Sequence, residues 1–473
     1  MDAHTDIVVR RPQDGLTVMI VHTPGPGNIV HVQVDVAVGD DYEVQAEQRE
    51  TAHYLEHLVA SMLRSRKYPR GEAKLASEQH GMYSNAFTSA VRTSHYMSGH
   101  GDLLGEIIDM QVGALADFHR YFDDIAAGPR FAMEQQAVVR ELAGKVDEPD
   151  YRMYEALNAT LFPAGHPRAV PQHTDLDNVQ RIRPDTVRAF FTQYYVARNM
   201  LVTVAGPTGN AHCTLAGIMA LLAPYQFPVG AADGSLARPS PGPWSARLPR
   251  SVVRHVSVPE GTTTRITLAW PAPLQQYEGT TAGRLRVAAV HALSDFLTGG
   301  FTSRLLKRLR VDEGLVYGIS AGAALDERDP AYGMYTIETS VAADKVMTVL
   351  QDVYAELARI THDGPTAAEL DKYRMRIRTS MERRALDQSP GSFVDDYANR
   401  VLFTGRLLHD RDTNAARFAQ ALAVTAADVQ AVCQTTLAFL TSPVALLYGS
   451  PTPDPVLTAD AVDAVRNEAA VAK

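Results

Sequence analysis

Apolar and polar residues alternate in the segments that open each half of the chain. The stretches 16–23 (LTVMIVHT) and 28–39 (NIVHVQVDVAVG) alternate in this way, and so does 256–272 (VSVPEGTTTRITLAWPA). A period of two with many β-branched residues is typical of half-buried strands. The middle of each half instead has helical spacing. Early and late strands around a helical middle predict an α+β fold, with helices packed on one face of a mostly antiparallel sheet.

The two halves follow the same order of elements. Apolar strands close both halves, at 202–206 (VTVAG) and 445–449 (ALLYG). Three further pairs of segments agree in order: 182–195 with 424–437, 157–167 with 398–408, and 133–146 with 370–384. The offset between partners is roughly 240 residues, and four pairs in one order favour duplication over coincidence. We therefore predict two homologous, duplicated domains.

Proline, glycine and serine are dense in residues 226–251, which indicates a linker between these domains. The predicted boundaries are an N-terminal domain at 1–225, the linker at 226–251, a C-terminal domain at 252–450 and a tail at 451–473. No function is assigned to the tail, which is rich in proline and then in alanine.

Composition narrows the classes of function. The 473 residues are 45% hydrophobic and carry a net charge of −9 with no long basic run, which argues against nucleic acid or a membrane surface as a partner. The two cysteines are far apart, as expected in a reducing compartment. The first residues are polar and lack the apolar core of a signal peptide, and no apolar run reaches membrane-spanning length. We expect a cytoplasmic protein, although a matured organellar chain would look the same.

The stretch 50–61 (ETAHYLEHLVAS) carries the first candidate chemistry. Helical spacing places His53 and His57 on one face, with Glu56 beside the second histidine. Two imidazoles can bind a divalent metal, and a nearby carboxylate can move protons. Thr51 is expected to cap this helix. The same letters also fit an ordinary amphipathic helix with a structural or exposed histidine pair.

A catalytic zinc needs three protein ligands and one open position. In residues 130–144 (RFAMEQQAVVRELAG), Glu134 and Glu141 lie two helical turns apart and project from one face. Val138 and Leu142 give the same helix a buried side. The helix is thus a candidate source of the third ligand, and a solvated acidic stripe is the other interpretation.

The combination of His-x-x-Glu-His with a downstream Glu-x6-Glu resembles the pitrilysin, insulin-degrading enzyme and mitochondrial processing peptidase superfamily of inverzincin zinc metallopeptidases. The resemblance implies one Zn²⁺ per chain, with His53, His57 and Glu141 as ligands. It also implies that Glu134 supports the site and that Glu56 is the catalytic base.

The stretch 80–96 (HGMYSNAFTSAVRTSHY) resembles an active-site strand of this superfamily. By that resemblance, Asn85 and Ala86 contact an extended peptide substrate. Two positions depart from the family pattern. The Gly-Thr that often follows the second histidine is missing, and His95 replaces an aromatic residue, so the shape of the substrate pocket stays open.

The second half carries a further match at 303–322 (SRLLKRLRVDEGLVYGISAG). Its leucine spacing predicts a helix that ends near Gly314. Arg310 and Tyr317 fit a surface cation and a packed aromatic, but their spacing also resembles the family's Arg-x6-Tyr signature. The resemblance implies that both side chains bind the substrate carbonyl and stabilise an oxyanion.

These resemblances lead to an expected function. We predict a zinc metalloendopeptidase that cleaves peptides or extended, unfolded segments inside a clamshell chamber formed by a homodimer. Three alternatives remain: a catalytic subunit of a heterodimeric processing peptidase that removes presequences or peptide leaders, a non-catalytic structural subunit, and a metal-binding or hydrolytic protein of unrelated fold.

Overall fold

The computed structural model contains two compact units, each built from separate stretches of chain. The first unit comprises residues 1–145, 172–240 and 385–410, and the second comprises 146–171, 241–384 and 411–473. The structure describes the chain except residues 1–6, 24–26, 44, 164–168, 170–175, 208–209, 211–212, 231–235, 237–247, 260–261, 273–280, 325–332, 387–388, 392–393, 395–397, 399–400, 403–409 and 472–473. Most of the predicted linker lies outside these described residues.

The first unit contains a six-stranded mixed sheet. Its strands are β1 (Ile7–Arg10), β2 (Thr17–Thr23), β3 (Ile29–Val36), β4 (Tyr83–Thr88), β5 (Thr93–His100) and β6 (Met200–Pro207). They are arranged in the order β1-β2-β6-β3-β5-β4, so β4 is an edge strand. Neighbours are antiparallel except β2 and β6, which run parallel.

The second unit repeats this topology. Its strands are β7 (Val252–Ser257), β8 (Thr264–Pro271), β9 (Val316–Ala324), β10 (Met334–Val341) and β11 (Ala445–Ser450). Their order is β7-β11-β8-β10-β9, which places β9 at the edge that corresponds to β4. The parallel pair is β7 and β11, the counterpart of β2 and β6. The repeated strand order confirms the predicted duplicated α+β fold.

Helices fill the segments between the strands. Those of the first unit are α1 (Thr51–Met62), α2 (Ala73–Gln79), α3 (Leu104–Ile108), α4 (Ala114–Ala116), α5 (Phe118–Ala127), α6 (Pro129–Asp147), α8 (Leu176–Arg181), α9 (Pro184–Tyr194) and α10 (Leu215–Leu222). Those of the second unit are α7 (Pro149–Leu161), α11 (Thr281–Thr298), α12 (Val346–Asp363), α13 (Ala367–Leu386), α14 (Asp410–Ala423), α15 (Ala426–Ala431) and α16 (Ala459–Val471). Among the described residues, no helix is long and apolar enough to cross a lipid bilayer.

The main core of each unit lies between the sheet and its helical layer, since alternate strand residues point to that side. The opposite face of each sheet is also covered. In the first unit, Val394, Ala398 and Val401 pack there, and in the second unit α7 packs there. The segment that covers the first sheet comes from the C-terminal half of the sequence, and α7, which covers the second sheet, comes from the N-terminal half. Each compact unit therefore includes a segment that a division into two continuous domains would assign to the other. The boundaries at 225 and 252 therefore stay a prediction.

The C-terminal tail is helical over most of its length. Helix α16 buries Val462 and Val465 in the core of the second unit and packs against α12. This packing gives a structural role to a segment whose sequence alone suggested none.

Candidate metal centre and peptide-binding edge

Helix α1 carries the histidine motif, and its first turn is fixed by a residue outside the predicted motif. Thr51 is the first helical residue and Glu50 occupies the cap position in a left-handed conformation, with φ of 68°. The carboxylate of Glu43 accepts hydrogen bonds from the backbone N–H groups of Glu50 and Ala52, each at 2.7 Å. A carboxylate suits this place because the N-terminus of a helix is electropositive. The expectation that Thr51 caps α1 is wrong.

The buried side of α1 positions the helix that supplies the acidic residues. Tyr54, Leu55 and Leu58 have no exposed surface. The Tyr54 hydroxyl donates a hydrogen bond of 2.6 Å to the carbonyl of Phe131, in the first turn of α6, and the two rings meet edge to face at 5.2 Å. Val138 and Leu142 bury the same side of α6. This packing turns Glu134 and Glu141 toward the histidines.

His53, His57 and Glu141 form a three-residue cluster. One ligand atom from each lies within 4.8 Å of the others. The Oε2 atom of Glu141 lies 3.6 Å from Nε2 of His53 and 3.3 Å from Nε2 of His57. Its other oxygen contacts Nζ of Lys145 at 2.8 Å. One carboxylate oxygen thus faces the histidine pair while the other is held by a cation on the same helix.

Glu134 supports the cluster from behind. Its Oε2 lies 3.6 Å from Nδ1 of His57, the ring nitrogen that faces away from Glu141, and its other oxygen lies 3.8 Å from Arg130. A carboxylate beside one imidazole nitrogen fixes which nitrogen is free to bind a metal. Burial lowers the pKa of His57, but the carboxylates of Glu134 and Glu141 outweigh burial and raise it to about 9.

The donor set fits a catalytic zinc. The imidazoles of His53 and His57 and the carboxylate of Glu141 lie close enough to share one metal ion, and the carboxylate of Glu134 lies beside His57. This is the pattern of a three-ligand site with an open position. His53 and Glu134 are buried, whereas Glu141 is 40% exposed and borders the open side. The structure therefore brings together the three residues that the resemblance implied as ligands, and their role as ligands stays a prediction.

Glu56 lies on the same helix but is held apart from the cluster. Its Oε2 accepts a hydrogen bond of 3.0 Å from the Thr88 hydroxyl at the end of β4. Burial raises the pKa of Glu56, against the opposing effect of the two histidines. A buried carboxylate with a raised pKa binds a proton more readily than an exposed one, which suits a group that takes up and releases protons.

A cavity of about 770 Å³ connects these residues with the sheet edge. Residues 84–88 of β4 line it together with the histidine cluster. Asn85 is exposed, and its side-chain oxygen accepts a hydrogen bond of 2.9 Å from the Ala86 N–H. That N–H therefore points away from β5 and out of the sheet. An extended peptide could pair with this edge of β4.

Arg310 and Tyr317 lie together in the second unit. The predicted helix is a π-helical turn over Leu306–Asp312, in which the Glu313 N–H bonds the Arg308 carbonyl. The Arg310 guanidinium lies 4.5 Å from the Tyr317 ring centre and 4.8 Å from that of Phe301. Both rings are largely exposed, Tyr317 at 86% and Phe301 at 62%.

Comparison with known families agrees with this geometry. The model of the insulinase family, peptidase family M16, matches residues 17–164, and the model of the peptidase M16 inactive domain matches residues 181–377. Together the two matches cover most of the chain. The chain belongs to peptidase family M16.

Curated relatives of this M16 chain carry the name uncharacterized zinc protease. One from Rickettsia felis is 23% identical over 380 residues, which is 79% of this chain and 82% of the relative. Another, YmxG of Bacillus subtilis, is 23% identical over 375 residues and covers 78% and 82% of the two chains.

Solved structures share the two-unit M16 fold. The first half of the periplasmic protease PqqL from Escherichia coli has a TM-score of 0.76 at 16% identity, over 99% of this chain and 97% of that one. A protease from Helicobacter pylori has a TM-score of 0.74 at 18% identity, over 94% and 99%. A chain of Complex III2 from Candida albicans has a TM-score of 0.71 at 13% identity, over 97% and 99%. At these identities, the likeness concerns the fold.

Several residues of this M16 site were not predicted from the sequence. Glu43 contacts α1 and Lys145 contacts Glu141 from positions outside the motifs. Thr88 lies within the stretch 80–96, but its contact with Glu56 was not predicted. Phe301 joins the Arg310 and Tyr317 pair. Spacing could have suggested Lys145, which lies four residues after Glu141 on one helix. The other contacts depend on strand and loop packing.

Proposed function

We propose that this M16 chain is a zinc-dependent metalloendopeptidase that cleaves peptides or extended, unfolded segments of proteins. The observation that carries the proposal is the convergence of His53, His57 and Glu141 beside the buried acid Glu56. The zinc protease names of the relatives support the same activity.

The residues of the site divide the chemistry among them. His53, His57 and Glu141 would hold the zinc, which when bound acts as a Lewis acid and makes water more acidic. Glu56 accepts a proton from the attacking water and passes it to the leaving amine. Thr88 keeps one oxygen of Glu56 occupied and so directs the other toward the substrate. Glu134 orients the His57 ring.

The substrate binds as an added strand on the outer edge of β4. Ala86 offers an N–H on that edge, at present bonded to the side chain of Asn85. Binding moves the Asn85 side chain away from this N–H, and the freed amide group then contacts the peptide. This exchange replaces one hydrogen bond with another, so the edge strand stays satisfied in both states.

Arg310 and Tyr317 of a second copy complete each site and stabilise the oxyanion. The support is chemical, since a guanidinium and a phenol are good donors to a developing negative charge. Their exposure, together with that of Phe301, fits a role at a surface that meets another chain. A homodimer that encloses a chamber with two sites is the proposed assembly, and a related heterodimer partner is the alternative.

Metal analysis combined with cleavage-site mapping tests the activity. The purified chain should contain about one zinc per chain and cut members of an unfolded peptide library, and a chelator should stop cleavage, with recovery when zinc is added back. A chain that binds no zinc and cuts no peptide would instead support a structural subunit.

A mixing experiment tests the assembly. Chains with Glu56→Gln and chains with Arg310→Ala are each expected to be nearly inactive. A randomly mixed dimer population should recover about a quarter of the wild-type activity, because half of the dimers are mixed and each has one complete site. No recovery, although mixed dimers form, would contradict a site shared between subunits.

A further inference from the structure

The cavity wall contains three cations, and one of them has no acidic partner. They are Lys74, Arg130 and Lys145. Nζ of Lys145 lies 2.8 Å from Glu141, and the Arg130 guanidinium lies 3.8 Å from Glu134. Lys74 is exposed, and among the described residues no carboxylate lies within ion-pair distance of its ammonium group. The ammonium group of Lys74 is therefore available to a ligand that enters the cavity.

The acidic groups of the same wall already have contacts of their own. Glu56 and Glu134 are only 8% and 9% exposed. Glu56 accepts a hydrogen bond from Thr88, while Glu134 and Glu141 lie beside the histidine pair. These acids therefore belong to the metal centre, and the unpartnered charge among the described residues of the wall is positive.

The acids nearest to Lys74 in the chain do not neutralise it. The carboxylate of Glu72 accepts a hydrogen bond of 3.1 Å from the backbone N–H of Arg70. Glu78 lies one helical turn after Lys74, but a lysine that precedes its glutamate forms the weaker of the two possible helical pairs. In the structure these two exposed side chains form no ion pair. An anion from outside the chain therefore meets little competition for Lys74.

Helix α2 holds the backbone of Lys74 beside the metal-ligand helix and the edge strand. The helix contacts both α1 and β4. Its neighbours Ala73 and Ser77 are buried, with 0% and 2% exposure, and the Ser77 hydroxyl donates a hydrogen bond of 2.7 Å to the Lys74 carbonyl. The base of the Lys74 side chain is thus fixed, while its flexible four-carbon stem lets the ammonium group follow a ligand.

The chemistry of the ammonium group selects the ligand. Residues 84–88 of β4 line the same cavity, so a peptide added to that edge passes through the space that Lys74 borders. An ammonium group carries three donors and no acceptor, and its hydrogen bonds to an ionised oxygen are stronger than those to a neutral one. It therefore favours a carboxylate over a carboxamide and repels a basic side chain.

We propose that Lys74 binds a carboxylate of the peptide substrate, so that the site prefers peptides that are acidic near the cleaved bond. The carboxylate comes either from an aspartate or glutamate side chain or from the free C-terminus of the peptide. The inference rests on the proposed peptidase function, because it concerns the substrate of that same site.

Matched peptides test the charge preference. Peptides that differ only by glutamate, glutamine or lysine are compared at each position around the cleavage site, each with a free and with an amidated C-terminus. At one position the wild type should cleave the glutamate peptide about 5-fold more efficiently than the glutamine peptide, judged by kcat/KM, and the lysine peptide least. If the preference depends on the free C-terminus instead, that group is the bound carboxylate. Added salt should weaken either preference.

Charge reversal shows whether Lys74 causes the preference. Lys74→Met should remove it, and Lys74→Glu should reverse it in favour of the lysine peptide. Arg70→Glu makes the same change of net charge at an exposed position outside the cavity wall and should keep the wild-type preference. If Arg70→Glu altered the preference as much as Lys74→Glu, the overall charge of the protein would be its cause and the assignment to Lys74 would be wrong.

A binding measurement separates this inference from the proposed activity. The Glu56→Gln chain is titrated with the same peptides, and the glutamate peptide should bind about 5-fold more tightly than the glutamine peptide, a difference that Lys74→Met removes. Charge-selective binding by a chain whose wild type cleaves nothing would keep the role of Lys74 and overturn the peptidase. Cleavage and binding without a preference for a carboxylate would overturn the role of Lys74 and keep the peptidase.

Discussion

Two helix pairs occupy equivalent places in the two units, yet among the described residues only the first carries a cluster that could hold a metal ion. In the first unit, Tyr54 of α1 meets Phe131 of α6 edge to face with ring centres 5.2 Å apart. In the second unit, Phe296 of α11 meets Tyr373 of α13 at 5.4 Å. The same offset relates both partners (296 − 54 and 373 − 131, both 242). The aromatic contact that holds the helices together is therefore common to both repeats.

The polar residues that this offset of 242 relates differ in chemical type between the two helix pairs. Asp295 stands in the place of His53 and Arg376 in the place of Glu134, and these two form an ion pair of 2.9 Å. Burial raises the pKa of Asp295, with Arg376 opposing it. Gly299 stands in the place of His57, and its carbonyl accepts a hydrogen bond from Arg376. In the second helix pair, the guanidinium of Arg376 thus neutralises the carboxylate of Asp295. The first helix pair instead combines imidazoles and carboxylates that can hold a cation.

The contact with the edge strand changes in the same way. Glu56 of α1 accepts from Thr88 of β4, whereas its counterpart Thr298 accepts a hydrogen bond of 3.1 Å from the backbone N–H of Ala321 in β9. A buried carboxylate with a raised pKa is thus replaced by a neutral hydroxyl. The comparison teaches that the fold supplies a helix pair beside an edge strand, and that a few side chains decide whether this frame holds a metal site or an ion pair.

The largest expected effect comes from the group that the second unit lacks. Glu56→Gln should lower peptide cleavage about 10³-fold, because it removes the proton acceptor. Zinc content should stay at about one per chain, since Glu56 is not in the ligand cluster. Metal analysis and cleavage assays on the same preparation measure both.

Glu78→Gln is the control for this change, because Glu78 is an exposed acid on α2 outside the cavity. It should cleave at the wild-type rate. Wild-type cleavage by Glu56→Gln would remove Glu56 from the mechanism.

The next prediction concerns the pH dependence of zinc binding at His57. A protonated His57 forms ion pairs with Glu134 and Glu141, whereas a neutral His57 can bind a metal. The pKa of His57 in the metal-free chain is raised to about 9, so the stabilisation from its protonated form is complete below the ordinary pKa of histidine and is lost as the pH rises through about 9. Zinc requires the neutral ring, so its affinity should rise about 50-fold between pH 7 and pH 9 and then level off. Competition with a chelating dye measures this affinity at each pH.

The variant Glu134→Gln sharpens the pH experiment. It removes one of the two carboxylates that raise the pKa of His57, so the affinity should level off at a lower pH. An affinity that does not change between pH 7 and pH 9 would contradict the assigned role of His57.

A smaller effect compares the two helix pairs directly. At pH 9, Glu134→Gln should lower zinc affinity about 10- to 100-fold, as expected for a residue that orients a ligand. Arg376→Gln changes the equivalent position of the second unit and should leave zinc affinity unchanged, while it loses the ion pair with Asp295. If both variants weakened zinc binding equally, Glu134 would act only through general stability.

The smallest effect concerns the edge-strand contact. Thr88→Val keeps the side-chain shape but removes the donor to Glu56, and cleavage should fall about 5- to 10-fold with zinc content unchanged. Thr298→Val removes the hydroxyl through which the second unit makes its corresponding contact with β9, and it should not change cleavage per folded chain. A pH–rate profile should show a changed pKa for Glu56 in Thr88→Val, and an unchanged profile would reduce Thr88 to a packing role.

Local spacing explains how much of the site the sequence could predict. His53, Glu56 and His57 lie on one helix, and Glu134 and Glu141 lie on another, so helical periodicity and family resemblance were enough to name them. The structure brings the histidines and Glu141 together, while their roles in catalysis stay predictions. Glu43 carries no such local signal, because it acts through hydrogen bonds from a loop to the start of α1. The contact of Thr88 with Glu56 joins a strand to a helix 32 residues away, so spacing does not predict it.

The sequence by itself determined the strand and helix pattern through periods of two and of 3.6 residues, and the duplication through the repeated order of its segments. Its motifs, by their resemblance to a family, named the two helices that carry the candidate ligands. Only the tertiary structure decided how α6 faces α1 and which segments cover the second face of each sheet. These features arise from pairings between residues far apart in the chain. Such pairings depend on packing and strand register, which short-range periodicity does not predict.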